Sequence, residues 1–378
     1  MPKRGGDESG SGPLASFFGY FRYEIDQEEG VGLGIGWALI GTGNYPDSRI
    51  APAAALAEDT SIIAAYSRDQ QRADAFASKH GALAAYTSVK ELLADPRVDV
   101  VFIASPNHLH TEHTILAAKA GKHVFVEKPM ATSINDCVAM IKACKANGVK
   151  LGVGFQLRFH PGHIEASRLV RDGALGKVAL VQGLLGSGVR GEVARELRTG
   201  LRGWWETPDM VGNSRSMIGS GVHCLDDLES ILGQTVVELA AITDGQTPEA
   251  PLENLASLSL RFSGGAIGTM VCGNRMPDAM NDVTVYGSDG RVFLKNSAGP
   301  ALGGSLEVTS ETVNTTVSYE PDPLALTKWQ IEGFNRAVFQ DEEPRASGMD
   351  GLRSVQVTEA MIESAKTRRI VSVEPVNV

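Results

Sequence analysis

The chain has 378 residues, 43% of them hydrophobic and 21% charged, with 35 basic against 45 acidic side chains for a net charge of −10. That length leaves room for two domains of roughly 150 residues and a sizeable core. The composition excludes disorder as the main state, and the acidic balance argues against nucleic acid or anionic lipid as partner, leaving a small molecule as the default ligand. The four cysteines, Cys137, Cys144, Cys224 and Cys272, show no C-x-x-C spacing, so neither a disulfide framework nor a zinc site is expected and a cytoplasmic location fits. With no apolar run of about 18 residues and with Lys3 and Arg4 followed by Gly and acid, neither export nor a membrane span is expected.

Residues 1–13 are rich in Gly, Ser and charge, and 14–25 gather Phe17, Phe18, Tyr20, Phe21 and Tyr23, so residues 1–30 read as a disordered extension or a docking arm. Short apolar runs then appear at 35–40, 62–66, 98–104, 123–126 and 151–153. Helix-length amphipathic stretches alternate with them near 48–58, 69–80, 88–94, 110–120 and 133–147. Continuous apolar strands alternating with helices imply a parallel sheet covered on both faces, a doubly wound α/β domain over residues 31–156. After residue 178 strand-like runs follow each other directly, at 178–184, 236–242, 258–262, 266–272, 283–286 and 313–319, the third with period-two alternation. Residues 157–378 should therefore form an α+β domain with an open, mainly antiparallel sheet, beside which two late helices, around 326–338 and 352–362, are expected to pack.

The first run ends in Gly41-Thr42-Gly43-Asn44, a G-x-G turn that lets the backbone approach a pyrophosphate at the start of the next helix. Pro46 stands where a third glycine would complete the motif. The second run ends in Tyr66-Ser67-Arg68-Asp69. An acidic residue at this point holds the ribose hydroxyls of NAD, whereas Ser67 and Arg68 suit a 2′-phosphate, so NADP is favoured with NAD possible if Asp69 faces the ribose. Ser105-Pro106-Asn107 with His110, and Glu127-Lys128-Pro129, follow the next two strands and fall where strand ends meet in a ligand crevice. His108, His110 and His113 do not share one helix face, so no metal site is expected.

These segments, with Ala120-Gly121-Lys122-His123, Arg158-Phe159-His160-Pro161, Gly173-Ala174-Leu175-Gly176, Gly221-Val222-His223 and Asp350-Gly351-Leu352, resemble the Gfo/Idh/MocA family of nicotinamide-dependent oxidoreductases over roughly 35–370. The resemblance implies hydride transfer between nicotinamide and a small hydroxylated compound such as a sugar, cyclitol or diol. It implies Lys128 and His223 as catalytic residues and Gly41, Thr42, Gly43, Asn44, Ser67, Arg68, Ser105, Pro106, Asn107, His110, Glu127 and Lys128 as cofactor contacts. Lys128, Arg158, His160, Trp205 and His223 are the candidates for the substrate. Hydride removal from an alcohol needs a base near neutral pKa, which a histidine supplies, and a cation to steady the alkoxide, which a lysine supplies. Many members carry an Asp four residues before the histidine; this chain has Gly219, with Glu206, His160 and Asp227 as candidates to compensate. The open sheet face implies a homo-oligomer, a dimer or tetramer. A non-catalytic dinucleotide-binding regulator and an NAD-dependent glycosidase are the alternative readings that the same resemblance allows.

Overall fold

The computed structural model describes residues 34–191 and 197–378; the extension expected at 1–30 lies outside the described residues. Two sheets organise the chain. The first is built from β1 (Ile35–Ile40), β2 (Thr60–Tyr66), β3 (Ala84–Tyr86), β4 (Val100–Ile103), β5 (His123–Val126) and β6 (Leu151–Val153), in the order β3-β2-β1-β4-β5-β6. All its pairings are parallel. The order reverses between β1 and β4, which opens a crevice at the carboxyl ends of the strands. Every residue of β1 and β4 is buried, as the unbroken apolar runs require of strands covered on both faces.

Helices α1 (Ala51–Ala54), α2 (Gln70–His80), α3 (Val89–Ala94), α4 (His110–Lys119) and α5 (Ile134–Ala146) follow successive strands. Side-chain caps fix the starts of three of them: Asp69 accepts from Arg72 N, Ser88 from Glu91 N and Ser133 from Asp136 N. The helix expected at 48–58 is instead a π-helical turn, Pro46–Ile50, running into the four residues of α1. Pro46 and Pro52 each remove a backbone donor, so a regular ladder cannot form there.

The second sheet runs β14-β13-β12-β11-β7-β10-β9-β8-β15, with β7 (Val178–Gly186), β8 (Val236–Thr243), β9 (Leu255–Phe262), β10 (Ile267–Gly273), β11 (Val283–Gly287), β12 (Gly290–Lys295), β13 (Ser305–Ser310), β14 (Asn314–Ser318) and β15 (Val371–Ser372). Only β7 and β10 pair parallel; the remainder is antiparallel. Its inner face carries Val181, Leu258, Leu260, Met270, Val283 and Val285, packed with helices α6 (Pro161–Arg171) and α8 (Val222–Leu232); the short α7 (Pro208–Val211) precedes α8.

Of the two late helices, α9 (Ala325–Phe339) and α10 (Gly348–Thr367), the second packs beside the second sheet as expected and the first departs from expectation. The first of them packs on the parallel sheet: Phe334 meets Trp37 and Phe125 edge-on or tilted at 5.9 and 5.0 Å, and Asn335 accepts from the Trp37 indole N–H at 2.9 Å. Gly152 in β6 leaves the room, since a Cβ there would lie 2.7 Å from the Phe334 ring. Helix α10 touches both lobes, its Leu352 and Val355 in one core and Val357 and Met361 in the other.

Candidate active site

The glycine turn is shaped by its backbone. Gly41 has φ +119° and a Cβ there would sit 2.7 Å from the Ala104 carbonyl, so no side chain fits, while a Cβ on Gly43 would meet nothing within 4 Å. Thr42 is partly buried and Asn44 exposed beside this open space. At the end of β2, Ser67 is buried and its Oγ accepts from Asp69 N at 3.3 Å. The Asp69 carboxylate is spent on the α2 cap at 2.9 Å, which leaves Arg68, on the surface and close enough to His108 to lower its pKa further after burial has done so.

The loops after β4 and β5 are braced together. The His110 imidazole lies between the carbonyls of Ser105 (2.9 Å) and Pro129 (3.0 Å), and burial holds its pKa down to about 4. At 1% exposure it joins the two loops and does not face the crevice, a correction to its expected cofactor contact. Ser105 Oγ bonds His113 Nδ1 at 2.9 Å, and Pro106 leads into the 3-10 turn Asn107–Leu109. Asn107 is buried with its Nδ2 unpartnered, and Glu127 is likewise left with a buried, unpartnered Oε1. Gly154 makes space for that carboxyl, since a Cβ there would lie 3.0 Å from Oε1. Burial pushes the Glu127 carboxyl up to about 7 against the pull of Lys128. Tyr45, just past the glycine turn, is raised by burial and then by the Glu127 charge. An amide donor and a carboxyl acceptor without partners, on loops that end adjacent strands next to a glycine cradle, fit the carboxamide end of a nicotinamide dinucleotide.

Lys128 directs its ammonium at main-chain carbonyls: Nζ donates to Gly219 O at 2.7 Å and to Ile218 O at 3.4 Å. Those carbonyls belong to the π-helical turn Met217–Gly221, which widens the helix just before α8 and aims its oxygens at the lysine. Burial lowers the Lys128 pKa and the nearby Arg198 charge adds to this, with Glu127 opposing both. Four residues beyond Gly219, His223 stands edge-on to Phe155 at 6.1 Å with a buried, unpartnered Nδ1. Burial and then the Lys128 charge hold its pKa well below the usual imidazole value. Gly219 therefore contributes its own carbonyl to the lysine, and a Cβ on it would enter open space.

The three candidates to compensate for the missing carboxylate are each engaged by protein groups. Glu206 pairs with Arg215 and accepts from Arg198 N, Asp227 lies 2.6 Å from His163, and His160 is fully buried. Two expected substrate contacts, Arg158 and His160, are corrected as well. Arg158 gives Nε and Nη2 to Asp226, Nη2 to Asp350 and Nη1 to the Arg345 carbonyl, so its guanidinium faces protein on every edge. His160 caps α6 by accepting from Gly162 N at 3.1 Å, contacts the Gly303 carbonyl and is held near pKa 3 by burial. Trp205 is half-buried, stacked on Trp204 at 4.7 Å, and carries the Arg198 guanidinium 4.2 Å from its ring centroid. Sequence reasoning missed Arg198 and the Ile218 and Gly219 carbonyls; a backbone acceptor leaves no trace in residue type. Among the described residues no group of three or more His, Cys, Asp or Glu is placed to hold a metal ion.

Comparison with known proteins identifies the family. Residues 35–155 match "Oxidoreductase family, NAD-binding Rossmann fold" and residues 163–293 match "GFO/IDH/MocA C-terminal domain". The chain is 29% identical over 343 residues to 1,5-anhydro-D-fructose reductase of Ensifer adhaerens, which covers 89% of this chain and 98% of that protein. It is also 29% identical over 338 residues to D-xylose 1-dehydrogenase (NADP(+)) 2 of Haloferax volcanii, with 89% and 99% covered. The crystal structure of aldose-aldose oxidoreductase from Caulobacter crescentus, complexed with glycerol, superposes with a TM-score of 0.78 at 29% identity, covering 90% of this chain and 99% of that one. The chain belongs to the Gfo/Idh/MocA family of NAD(P)-dependent oxidoreductases.

Proposed function

We propose that the protein is an NADP-preferring dehydrogenase or reductase of sugars, cyclitols or related diols, with Lys128 and His223 as its reacting pair. The observation that carries this reading is the meeting of a half-buried ammonium, held by the Gly219 carbonyl, with a neutral histidine close enough to feel its charge. The nicotinamide, when bound, supplies the hydride acceptor in oxidation and the donor in reduction. Burial and the Lys128 charge leave His223 a weaker base than the near-neutral one expected from the sequence; uncharged at neutral pH, it takes the hydroxyl proton of an alcohol as the hydride leaves its carbon, and returns it in the reverse direction. Lys128 steadies the negative charge that develops on that oxygen, in a site dry enough to lower its own pKa. Asn107 and Glu127 hold the carboxamide, and Gly41, Thr42, Gly43 and Asn44 form the turn at the pyrophosphate.

The engagement of Asp69 as a helix cap, with Ser67 and Arg68 left at the ribose end, supports NADP over NAD. Sugar and cyclitol substrates are supported by the names of the relatives, which include a myo-inositol 2-dehydrogenase of Thermotoga maritima. An oligomer of two or four copies through the outer face of the second sheet is supported by Ile242, Ile267 and Tyr286, which are 80%, 40% and 38% exposed there. The four buried free cysteines support a cytoplasmic setting, and among the described residues no helix is long and apolar enough to cross a membrane.

Titration with NADPH and NADH, then reduced-nicotinamide absorbance across a panel of aldoses, inositols and diols, tests the reading. Lys128→Met is expected to keep NADPH binding and lose turnover by roughly a thousandfold, the scale of one electrostatic transition-state contact. Cofactor binding without turnover of any panel member would turn the assignment toward a regulator, and sugar release without net cofactor reduction toward a glycosidase.

A further inference from the structure

His223 and the carbonyls that hold Lys128 lie on one continuous stretch of helix, the turn Met217–Gly221 and α8. Three and four residues after His223 come Asp226 and Asp227, which are 3% and 1% exposed. Neighbours on a helix point about 100° apart, and these two are gripped from different elements. Asp226 accepts from Arg158 Nε at 2.9 Å and Nη2 at 2.8 Å. The same Nη2 also reaches Asp350, in the first turn of α10, at 2.7 Å. Asp227 lies 2.6 Å from His163 Nδ1, and Nε2 of that ring lies 2.9 Å from Ser297 Oγ.

The apolar face of α8, with Leu225, Leu228 and Ile231, decides which side of the helix meets the sheet. Apolar burial is non-directional and sets the height along the axis loosely. A forked guanidinium–carboxylate pair sets both height and rotation. Pairs this deeply buried add little net stability, because desolvation offsets their attraction, so stability alone does not account for two of them side by side.

We propose that the Asp226–Arg158 and Asp227–His163 pairs are positioning groups for the reaction. They hold α8 at the height and rotation that bring the His223 imidazole and the Gly219 carbonyl to Lys128. The inference rests on the reading of Lys128 and His223 as the reacting pair. A shift of about 1 Å in such a group lowers the rate by roughly a hundredfold without any contact to substrate being lost.

The test uses the full chain with Asp226→Asn, Asp227→Asn and Arg158→Lys. In Asp226→Asn the guanidinium keeps Asp350 and the Arg345 carbonyl as partners, so its charge stays compensated. Four quantities are read: kcat, the NADPH dissociation constant, the melting temperature, and the primary isotope effect with cofactor deuterated at C4. The expected result is a kcat lowered roughly 10- to 100-fold, NADPH affinity within about twofold of the parent, and an isotope effect on kcat that rises as hydride transfer becomes slow. Asp226→Asn combined with Arg158→Lys is expected to be no slower than the worse single variant, since both act through one contact. Melting temperatures that fall while kcat and the isotope effect stay at parent values would overturn the inference and leave the pairs purely structural. Should one variant not fold, the other two decide in the same way. If Lys128→Met retains turnover, the function reading itself fails; if it abolishes turnover while the α8 variants stay at parent rate, only the positioning role is lost.

Discussion

Glu127→Gln gives a quantitative check on the cofactor end of the site. The Glu127 carboxyl, ordinarily near 4.5, is pushed by burial up to about 7, and its Oε1 has no protein partner. Below about pH 4.5 the group is protonated both folded and unfolded and does not affect stability. Between 4.5 and 7 the unfolded chain ionises first, so unfolding releases a proton and stability falls as pH rises; above 7 the loss is complete. At 1.36 kcal/mol per unit the full loss is about 3 kcal/mol. With a melting entropy of roughly 2.1 cal/mol/K per residue over 378 residues, this corresponds to about 4 °C. Glutamine keeps the shape and cannot ionise. The variant without cofactor should therefore melt close to the parent at pH 4.5 and about 4 °C above it at pH 8, as read by scanning calorimetry. Saturating NADPH should narrow the difference at pH 8, because the carboxylate then has a donor. A melting difference that does not change between pH 4.5 and pH 8 would refute the reasoning.

Further outcomes follow from the same geometry. Arg68→Ala should weaken NADPH binding at least roughly tenfold and leave NADH within about twofold, the worth of one charge-assisted contact to the 2′-phosphate. Asp69→Ala should instead cost about 1 kcal/mol of stability through the lost cap and keep the NADPH/NADH ratio; fluorescence titration separates the two. Gly219→Asp has room for its side chain, since a Cβ there meets nothing within 4 Å. It should fold normally, place a carboxylate beside Lys128 and shift substrate kcat/KM by roughly tenfold with NADPH affinity unchanged. An unchanged kcat/KM across the substrate panel would show that position 219 does not face the substrate.

The parallel sheet was legible because burial on both faces leaves an unbroken apolar run, and the edges of β1, β5 and β6 fall where the runs end. The second sheet was legible only in part. Strands β12 and β13 place just two buried apolar residues each on the core face, Val292 with Leu294 and Leu306 with Val308, and so short an alternation carries little signal. A charged pair ending an apolar strand pointed to Glu127 and Lys128, whereas Asn107 and His223, the latter inside α8, were reached only through the family resemblance. Residue type misplaced Arg158 and His160: a charged or aromatic polar residue at a lobe junction reads alike whether it faces ligand or locks two elements together. Asp69 was ambiguous for the same reason, and only the hydrogen bond to Arg72 N assigns it to the helix cap.

The path of α9 bears on how the chain is made. Trp37 finds the acceptor for its indole N–H in Asn335, 298 residues later, and the ring cluster of Trp37 and Phe125 is closed by Phe334. While the ribosome is still translating, the amino-terminal lobe thus presents an open aromatic seam and an unsatisfied donor until nearly the whole polypeptide has emerged. A fragment ending near residue 156 inherits that exposed seam permanently, which makes it a poor choice for separate expression and a natural client for chaperones.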